Sequence, residues 1–262
     1  MLALLEWQVA LGADEAIVDL PVNRYALADE APRAPSRPTP AVPASAAPPY
    51  VAPVPEAPGA VLAAAIAEAR RLARGAADLP SLAATIAAYP HCDLRQGAKN
   101  MVFADGQPGA RVMIVGEAPG RDEDIEGRPF VGKAGQLLDK MLAAIGLSRG
   151  AADPAKAVYI TNVLPWRPAS NRPPDPDEIA MLLPFLERHI ALADPSFIVL
   201  MGNTPCQALL GRGGITRMRG QWAEVLARPA LPMVHPAYLL RTTAAKREAW
   251  ADLLALKSRL VP

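Results

Sequence analysis

Residues 111–132 read RVMIVGEAPGRDEDIEGRPFVG, and this stretch decides the fold. It begins with an apolar run, residues 112–115, whose length and composition predict a buried strand. Two glycines and a proline in residues 116–120 interrupt the regular structure, and an acidic segment follows. Because ligands in open α/β sheets bind beyond the carboxyl ends of the strands, this loop is a candidate site. An ordinary βα loop with a solvated acidic tip is the alternative interpretation.

Further apolar and amphipathic segments extend this pattern along the chain. We expect three more strands and six helices, the strands over 158–162, 197–201 and 231–235 and the helices over 59–75, 79–88, 133–145, 176–192, 206–210 and 244–260. In the last helix, Trp250, Leu253 and Leu254 are predicted to face the core. Strands that alternate with helices predict an α/β fold, a three-layer α/β/α sandwich around a mainly parallel four-stranded sheet.

The first 58 residues differ in composition from the rest. We divide the chain into an N-terminal extension with a short amphipathic helix (1–30), a linker rich in proline and alanine (31–58) and one domain (59–262). The linker has few large apolar side chains, so it cannot bury enough surface to offset its ordering entropy. An extended tether is therefore the favoured interpretation, and binding of an unidentified partner by the extension is the alternative.

The overall composition narrows the class of protein. With 262 residues and a formal net charge of +1, the molecule has no general attraction to nucleic acid, so DNA binding would need local basic patches. Its two cysteines, Cys92 and Cys206, lie far apart, which favours a reducing compartment. The N-terminus lacks the basic segment of a secretory signal, and we expect no membrane span, since no uncharged apolar run approaches about 18 residues.

Polar side chains end three of the predicted strands. Glu117 follows the first strand, Asn162 ends the second and His235 ends the fourth. Because the carboxyl ends of parallel strands meet at one edge of the sheet, these side chains should lie close together. Each has an ordinary explanation alone, but the three together predict a site. His91 and His189 are interpreted as a loop residue and a surface helix residue.

Five motifs in this chain resemble those of the family 4 uracil-DNA glycosylases. They occur in order within residues 80–262, and they are GEAPGRDED (116–124), GRPFVGKAGQLLDKML (127–142), YITNVLPWRP (159–168), NRPPDPDEI (171–179) and HPAYLLR (235–241). The resemblance implies a uracil-DNA glycosylase-like fold. It also implies a monofunctional DNA N-glycosylase that flips uracil out of DNA and hydrolyses its N-glycosidic bond, which initiates base excision repair. We expect a monomer in the cytoplasm, associated with the nucleoid.

The resemblance also implies a role for each residue of the site. Phe130 would stack on the flipped base, Asn162 would read the pyrimidine edge, and His235 would donate to uracil O2 as the leaving base gains negative charge. Glu123 would lie where the methyl group of thymine would clash, and Glu117 is the candidate that positions or activates water. The wall around the base would be the backbone of Gly116, Ala118, Pro119 and Gly120.

For the DNA strand, the resemblance implies that residues 236–241 enter the minor groove. Leu239 or Leu240 is the candidate wedge for the gap that the flipped base leaves. Arg241 is a candidate phosphate contact. Further candidates for binding DNA are Pro236, Tyr238, Arg167 and Arg172, with Arg217, Arg219 and Lys246 as additional positive charge.

One departure from the family concerns its [4Fe–4S] cluster, which four cysteines hold. In this chain Cys92 matches a ligand position, whereas Tyr89, Trp166 and Leu183 stand at the other three. We therefore expect no cluster, no other cofactor and no metal, and we expect these three side chains to pack in the place of the cluster. Cys206 lies in a different motif and is expected in the core.

Two alternatives to uracil excision stay open at this point. One is a glycosylase with a shifted preference for other deaminated bases such as hypoxanthine or xanthine, and the other is a catalytically inactive module that binds damaged DNA. A phosphate-binding loop is disfavoured, since Glu117 and the following acidic residues would repel phosphate. No insertion follows Gly132 of the kind found in relatives that attach to DNA, so ordinary turnover is expected.

Overall fold

A six-stranded sheet lies at the centre of the part of the chain that this computed structural model describes, residues 58–260. Its strands are β1 (Asp105–Gly106), β2 (Val112–Gly116), β3 (Val158–Asn162), β4 (Phe197–Met201), β5 (Ala223–Val225) and β6 (Arg228–Met233). They lie in the order β1-β3-β2-β4-β6-β5. The four central strands are parallel to one another, and β1 and β5 pair antiparallel at the two edges.

The parallel strands are the four that the sequence predicts, and the mainly parallel α/β class is confirmed. Every residue of β2 and β3 is buried, as expected for continuous apolar runs in a sheet covered on both faces. The predicted number of four strands is wrong. The two edge strands were missed because segments of two and three residues are too short to carry a periodic pattern.

Helices cover both faces of the sheet, which gives the predicted three layers. They are α1 (Pro58–Gly75), α2 (Leu79–Ala88), α3 (Leu94–Gly97), α4 (Arg121–Glu126), α5 (Lys133–Ala144), α6 (Pro176–Ala193), α7 (Asn203–Leu210), α8 (Ile215–Met218), α9 (Pro236–Arg241) and α10 (Lys246–Leu260). Side chains of β2 alternate between two buried clusters, with Met113 and Val115 on one face and Val112 and Ile114 on the other.

The inward face of α10 differs from the prediction. Leu253 is buried as expected, but Trp250 and Leu254 are 43% and 44% exposed, so their predicted positions are wrong. A polar residue takes part of the inward face instead, because Arg219 donates to the buried Asp252 through Nε at 2.9 Å. An ion pair can thus occupy a helix face that hydrophobicity alone would assign to leucine.

The prediction that His189 lies on a helix surface is also wrong. His189 is buried on α6, its Nε2 lies 2.9 Å from the Tyr159 hydroxyl, and its ring stacks on Phe103 with 4.3 Å between centroids. Burial lowers the pKa of His189 to about 3. The imidazole is therefore neutral at physiological pH, and the Tyr159 hydroxyl satisfies its Nε2 inside the core.

The predictions for the N-terminal extension and for most of the linker lie outside the described residues. Helix α1 begins at Pro58, one residue before the predicted start of the domain, and the division at residue 30 stays a prediction. Among the helices that the structure describes, none combines the length and the apolar character needed to cross a membrane.

Candidate active site

The carboxyl ends of the parallel strands open into one pocket with a volume of about 530 Å³. Glu117, Asn162 and His235, the three polar residues predicted at strand ends, all line it. Eight other candidate site residues from the sequence also line the pocket, namely Ala118, Pro119, Gly120, Glu123, Phe130, Arg172, Tyr238 and Arg241. The topology thus gathers residues from five separate motifs into one cavity.

Gly116 allows two of these side chains to approach the strand end. It pairs with Asn162 across β2 and β3. A Cβ atom at position 116 would overlap Asn162 Oδ1 and would lie 2.6 Å from Cε2 of Phe130. A residue larger than glycine would therefore push the amide or the aromatic ring out of place.

Phe130 lies beside the histidine on the floor of the pocket. The Phe130 and His235 ring centroids are 5.4 Å apart, with an angle of 25° between the ring planes. The backbone of Phe130 has a φ of 55°, in the left-handed region that bulky residues rarely adopt. Gly135 of α5 makes this possible in part, since a Cβ atom there would overlap the Phe130 carbonyl.

His235 precedes α9 and acts as its N-cap. Its Nδ1 accepts a hydrogen bond from the Ala237 amide at 3.2 Å, which places the proton of the neutral ring on Nε2. Burial lowers the pKa of His235 to about 4, against a smaller raising effect of Glu123 and with a smaller lowering effect of Arg241. At pH 7 the residue is thus a neutral hydrogen-bond donor through Nε2.

Glu117 is held by a residue that the sequence analysis missed. The hydroxyl of Thr204 donates to Glu117 Oε2 at 2.5 Å, and Thr204 is buried in the first turn of α7. No hydrogen bond from any described residue reaches the other oxygen, Oε1. Thr204 follows the end of β4 by three residues and lies in α7, so the pattern of polar residues at strand ends carries no signal for this contact.

The carboxylate of Glu123 faces the pocket but is bonded to backbone. Its Oε1 accepts from the amides of Val131 and Gly132, both at 2.9 Å, and its Oε2 accepts from Gly120 at 3.1 Å. These charge-assisted bonds hold the loop 116–120 and the segment 129–132 in a fixed position relative to each other. Glu123 therefore joins the GEAPG wall to the segment that carries Phe130.

Residues 236–241 form the short helix α9 beside the pocket. Leu239 is 1% exposed and packs in the core, so its candidacy as a wedge is wrong. Leu240 is 46% exposed and remains the candidate. Pro236 is buried, whereas Tyr238 and Arg241 line the pocket. The helical turn separates the two leucines because neighbouring residues point to different sides of a helix.

Several candidate arginines already have protein partners. Arg172 forms a two-pronged ion pair with Glu178, at 3.0 and 2.5 Å, and Arg167 donates to Asn171 Oδ1 at 2.8 Å. Arg219 is engaged by Asp252, as described above. Arg217 and Lys246 are exposed. The positive charge near the pocket is thus partly neutralised within the protein.

The positions where the family has cluster ligands do not form a cysteine site. Cys92, Tyr89 and Trp166 belong to one buried hydrophobic cluster, and the Tyr89 hydroxyl donates to the Ala65 carbonyl at 2.8 Å. Leu183 is half-buried, and the leucine fully buried there is its neighbour Leu182. A thiol, a phenol, an indole and an alkyl group cannot replace the four thiolates of a [4Fe–4S] cluster.

No group of three or more His, Cys, Asp or Glu side chains is placed to hold a metal ion in the described part of the chain. Cys206 is buried, as expected for a core cysteine. The side chains present at the family's ligand positions therefore do not fit an iron–sulfur cluster.

The part of the chain that forms the sheet and the pocket matches a known protein family. The family model described as "Uracil DNA glycosylase superfamily" matches residues 103–254. This range contains all six strands and every residue assigned above to the pocket.

Curated relatives refine the class. A type-4 uracil-DNA glycosylase of Archaeoglobus fulgidus is 39% identical over 170 residues, which cover 62% of this chain and 82% of the relative. The type-4 enzyme of Pyrobaculum aerophilum is 37% identical over 186 residues, covering 67% and 91%. That of Sulfurisphaera tokodaii is 41% identical over 162 residues, covering 57% and 70%. The chain therefore belongs to the uracil DNA glycosylase superfamily and, within it, to the type-4 family, which confirms the resemblance seen in the motifs.

Proposed function

We propose that this protein is a monofunctional uracil-DNA glycosylase that flips uracil out of DNA and hydrolyses its N-glycosidic bond, the first step of base excision repair. One observation carries the proposal. Glu117, Phe130, Asn162 and His235 line a single pocket, although they come from four separate motifs. Glu117 suits the attacking water, and Phe130 suits the face of a flipped uracil. Asn162 suits its pairing edge and His235 suits its O2.

Asn162 supplies base selectivity in this proposal. A single amide accepts from uracil N3–H and donates to O4, whereas cytosine presents the opposite pattern at both atoms. Asn162 is buried at the end of β3, so a mismatched base would leave its polar atoms without partners. Phe130 stacks on the face of the base, a contact worth about 1–3 kcal/mol.

His235 stabilises the departing base. As the glycosidic bond breaks, uracil gains negative charge on O2, and a donor placed there is most effective in the transition state. The bond from Ala237 keeps Nδ1 as an acceptor, so the proton on Nε2 is the one available to O2. Because the pKa of His235 is about 4, it donates as a neutral group at physiological pH.

Glu117 acts on the attacking water and the sugar, whereas His235 acts on the leaving base. Thr204 holds its Oε2, which leaves Oε1 to orient the attacking water and to stabilise the oxocarbenium-like sugar. Glu123 lies at the pocket wall where the methyl group of thymine would enter. The backbone of residues 116–120 completes this wall.

Around the pocket, α9 contacts the DNA. Leu240 is the exposed side chain that fills the gap in the duplex, and Arg241 binds a phosphate. Tyr238 and Pro236 shape the same surface, while Arg167 and Arg172 supply positive charge through guanidinium groups that keep free donors despite their partners.

The decisive experiment uses oligonucleotides that carry uracil, hypoxanthine or xanthine at one position, treated with protein and then with alkali. We expect strand cleavage at uracil and its loss in Asn162→Ala, while Arg228→Ala at the amino end of β6, outside the pocket, retains full activity. Preferential cleavage at hypoxanthine or xanthine would instead establish the shifted specificity. Binding without cleavage by the wild type would establish an inactive damage-binding module.

We also propose that the protein carries no iron–sulfur cluster and uses no metal. The support is the donor set, in which one thiol stands among a phenol, an indole and an alkyl group. Iron content and the absorbance near 400 nm, measured on anaerobically prepared protein, test this directly. A content of about four irons per chain would refute the proposal.

The remaining proposals concern the setting of the enzyme. We infer a cytoplasmic monomer associated with the nucleoid, with residues 31–58 acting as a tether for the N-terminal extension. Light scattering during size-exclusion chromatography tests the monomer, and the mass of a dimer would contradict it. Recovery of a specific protein bound to the isolated segment 1–30 would favour the partner-binding alternative over the tether.

A further inference from the structure

The segment that carries Phe130, residues 129–132, is held from two sides by opposite charges. Arg149 donates from Nη1 to the Pro129 carbonyl and from Nη2 to the Phe130 carbonyl, both at 2.9 Å. Glu123 accepts from the amides of the next two residues, also at 2.9 Å. The carbonyls of residues 129 and 130 thus accept charge-assisted hydrogen bonds, and the amides of residues 131 and 132 donate them.

Arg149 is itself fixed in orientation. Its Nε donates to Asp139 of α5 at 2.8 Å, and its Nη1 donates to Asp105 of β1 at 2.9 Å. The side chain is 15% exposed, so water competes little with these bonds. The guanidinium therefore connects an edge strand, a helix and the Phe130 segment. Arginine is suited to this because its donors have a fixed planar geometry, which lysine lacks.

The segment needs such support because its conformation is unfavourable. Phe130 has a φ of 55°, and a bulky residue keeps a left-handed backbone only where its surroundings impose it. Arg149 does not line the pocket. Of the four residues that Arg149 bonds, Phe130 alone lines the pocket, so we expect an effect of Arg149 on catalysis to pass through the segment that it holds.

We propose that Arg149 is a positioning residue, which together with Glu123 imposes the left-handed conformation of Phe130 and so sets the ring against the flipped base. The inference rests on the proposed function, in which Phe130 stacks on uracil. It also gives Glu123 a second role, since its carboxylate holds the segment as well as lining the pocket.

Steady-state cleavage of a uracil-containing duplex by Arg149→Met, Arg149→Lys and the control Arg188→Met tests the proposal. Arg188 is a suitable control because it also donates to a backbone carbonyl, that of Ala76 at 2.7 and 3.0 Å, away from the pocket. We expect kcat/KM to fall roughly 10-fold or more in Arg149→Met, to fall less in Arg149→Lys, and to stay unchanged in the control.

A double-mutant cycle separates positioning from general stability. If Arg149 acts through Phe130, adding Arg149→Met to Phe130→Ala lowers kcat/KM no further than Phe130→Ala alone. Independent, additive losses would overturn the proposal, as would wild-type kcat/KM in Arg149→Met. Should Arg149→Met fail to fold, Arg149→Lys in the same cycle gives the same comparison.

Amide hydrogen exchange provides a measurement that needs no activity. We expect the amides of Val131 and Gly132 to exchange at least about 10-fold faster in Arg149→Met, with strand amides unchanged, because the segment opens locally. Unchanged exchange at these two amides would refute the proposal that Arg149 holds the segment. If the wild type released no uracil, the proposed function would fail, and the exchange rates alone would decide the role of Arg149.

Discussion

Two regions of this molecule differ in how far they follow their family. The pocket at the strand ends keeps a carboxylate, an aromatic ring, an amide and an imidazole in the family's motifs. The region around Cys92 keeps one of four cysteines and fills the space with Tyr89 and Trp166. The residues that would contact uracil are thus separate from those that would hold a cluster. Cys92, Tyr89 and Trp166 pack in a buried hydrophobic cluster, and none of them lines the pocket.

The largest expected effect on activity comes from a substitution in the pocket. His235→Ala removes the donor to the leaving base and should lower kcat about 10²–10³-fold, as for other transition-state donors. Single-turnover cleavage of a uracil duplex measures the effect. His235→Gln, which keeps an amide donor, is the matched variant, and equal rates for wild type and His235→Ala would contradict the assigned role.

Acid should affect the stability of the protein through two buried histidines, His235 in the pocket and His189 in the core. The pKa values of His235 and His189 are lowered by burial to about 4 and about 3, so the unfolded chain binds protons that the folded protein rejects. Stability should be fully present above about pH 6.5 and should fall as the pH drops from there toward 4. Urea unfolding across this range measures it.

His189→Gln gives the control for this prediction, since it removes one of the two buried imidazoles. Its free energy of unfolding should depend less steeply on pH than that of the wild type. A stability that rises on acidification would show that the folded histidines are protonated, contrary to their burial.

A smaller effect on activity is expected at Thr204. Thr204→Val keeps the shape of the side chain but removes the hydrogen bond to Glu117, so kcat should fall about 10-fold while KM changes little. Thr204→Ser restores the hydroxyl and should recover most of kcat. An equal loss in both variants would indicate a packing defect and not a role in orienting the carboxylate.

The smallest effect is expected in the region around Cys92. Tyr89→Phe removes the bond to the Ala65 carbonyl and should cost about 1 kcal/mol of unfolding free energy. Uracil cleavage should remain at the wild-type rate, since Tyr89 lies outside the pocket. A large loss of activity at unchanged stability would show that the two regions are coupled.

Local patterns in the sequence were sufficient for much of the fold and the site. Apolar runs located the four parallel strands, and polar residues at their ends located Glu117, Asn162 and His235. The contacts of Thr204 with Glu117 and of Arg149 with residue 130 were not predictable in this way. They join positions 87 and 19 residues apart and depend on side-chain orientation rather than on periodicity.

The errors have a similar origin. His189 and Asp252 are polar, yet Tyr159 and Arg219 satisfy them inside the protein. The polarity of His189 therefore predicted a position on the protein surface, and the hydrophobicity of Trp250 predicted a position on the inward face of α10. A buried polar residue depends on a partner that lies far away in sequence, so the pattern around it carries no signal.

The hydrogen bond between the Ala237 amide and Nδ1 of His235 connects helix α9 with the pocket. His235, proposed above as the donor to the base, also begins α9, the helix that carries Leu240, and its Nδ1 accepts a hydrogen bond from the Ala237 amide of that helix. A shift of α9 against the duplex would therefore change the direction of the donor in the pocket. In the proposed mechanism, the seating of α9 on DNA and the direction of the donor to the base thus depend on the same hydrogen bond.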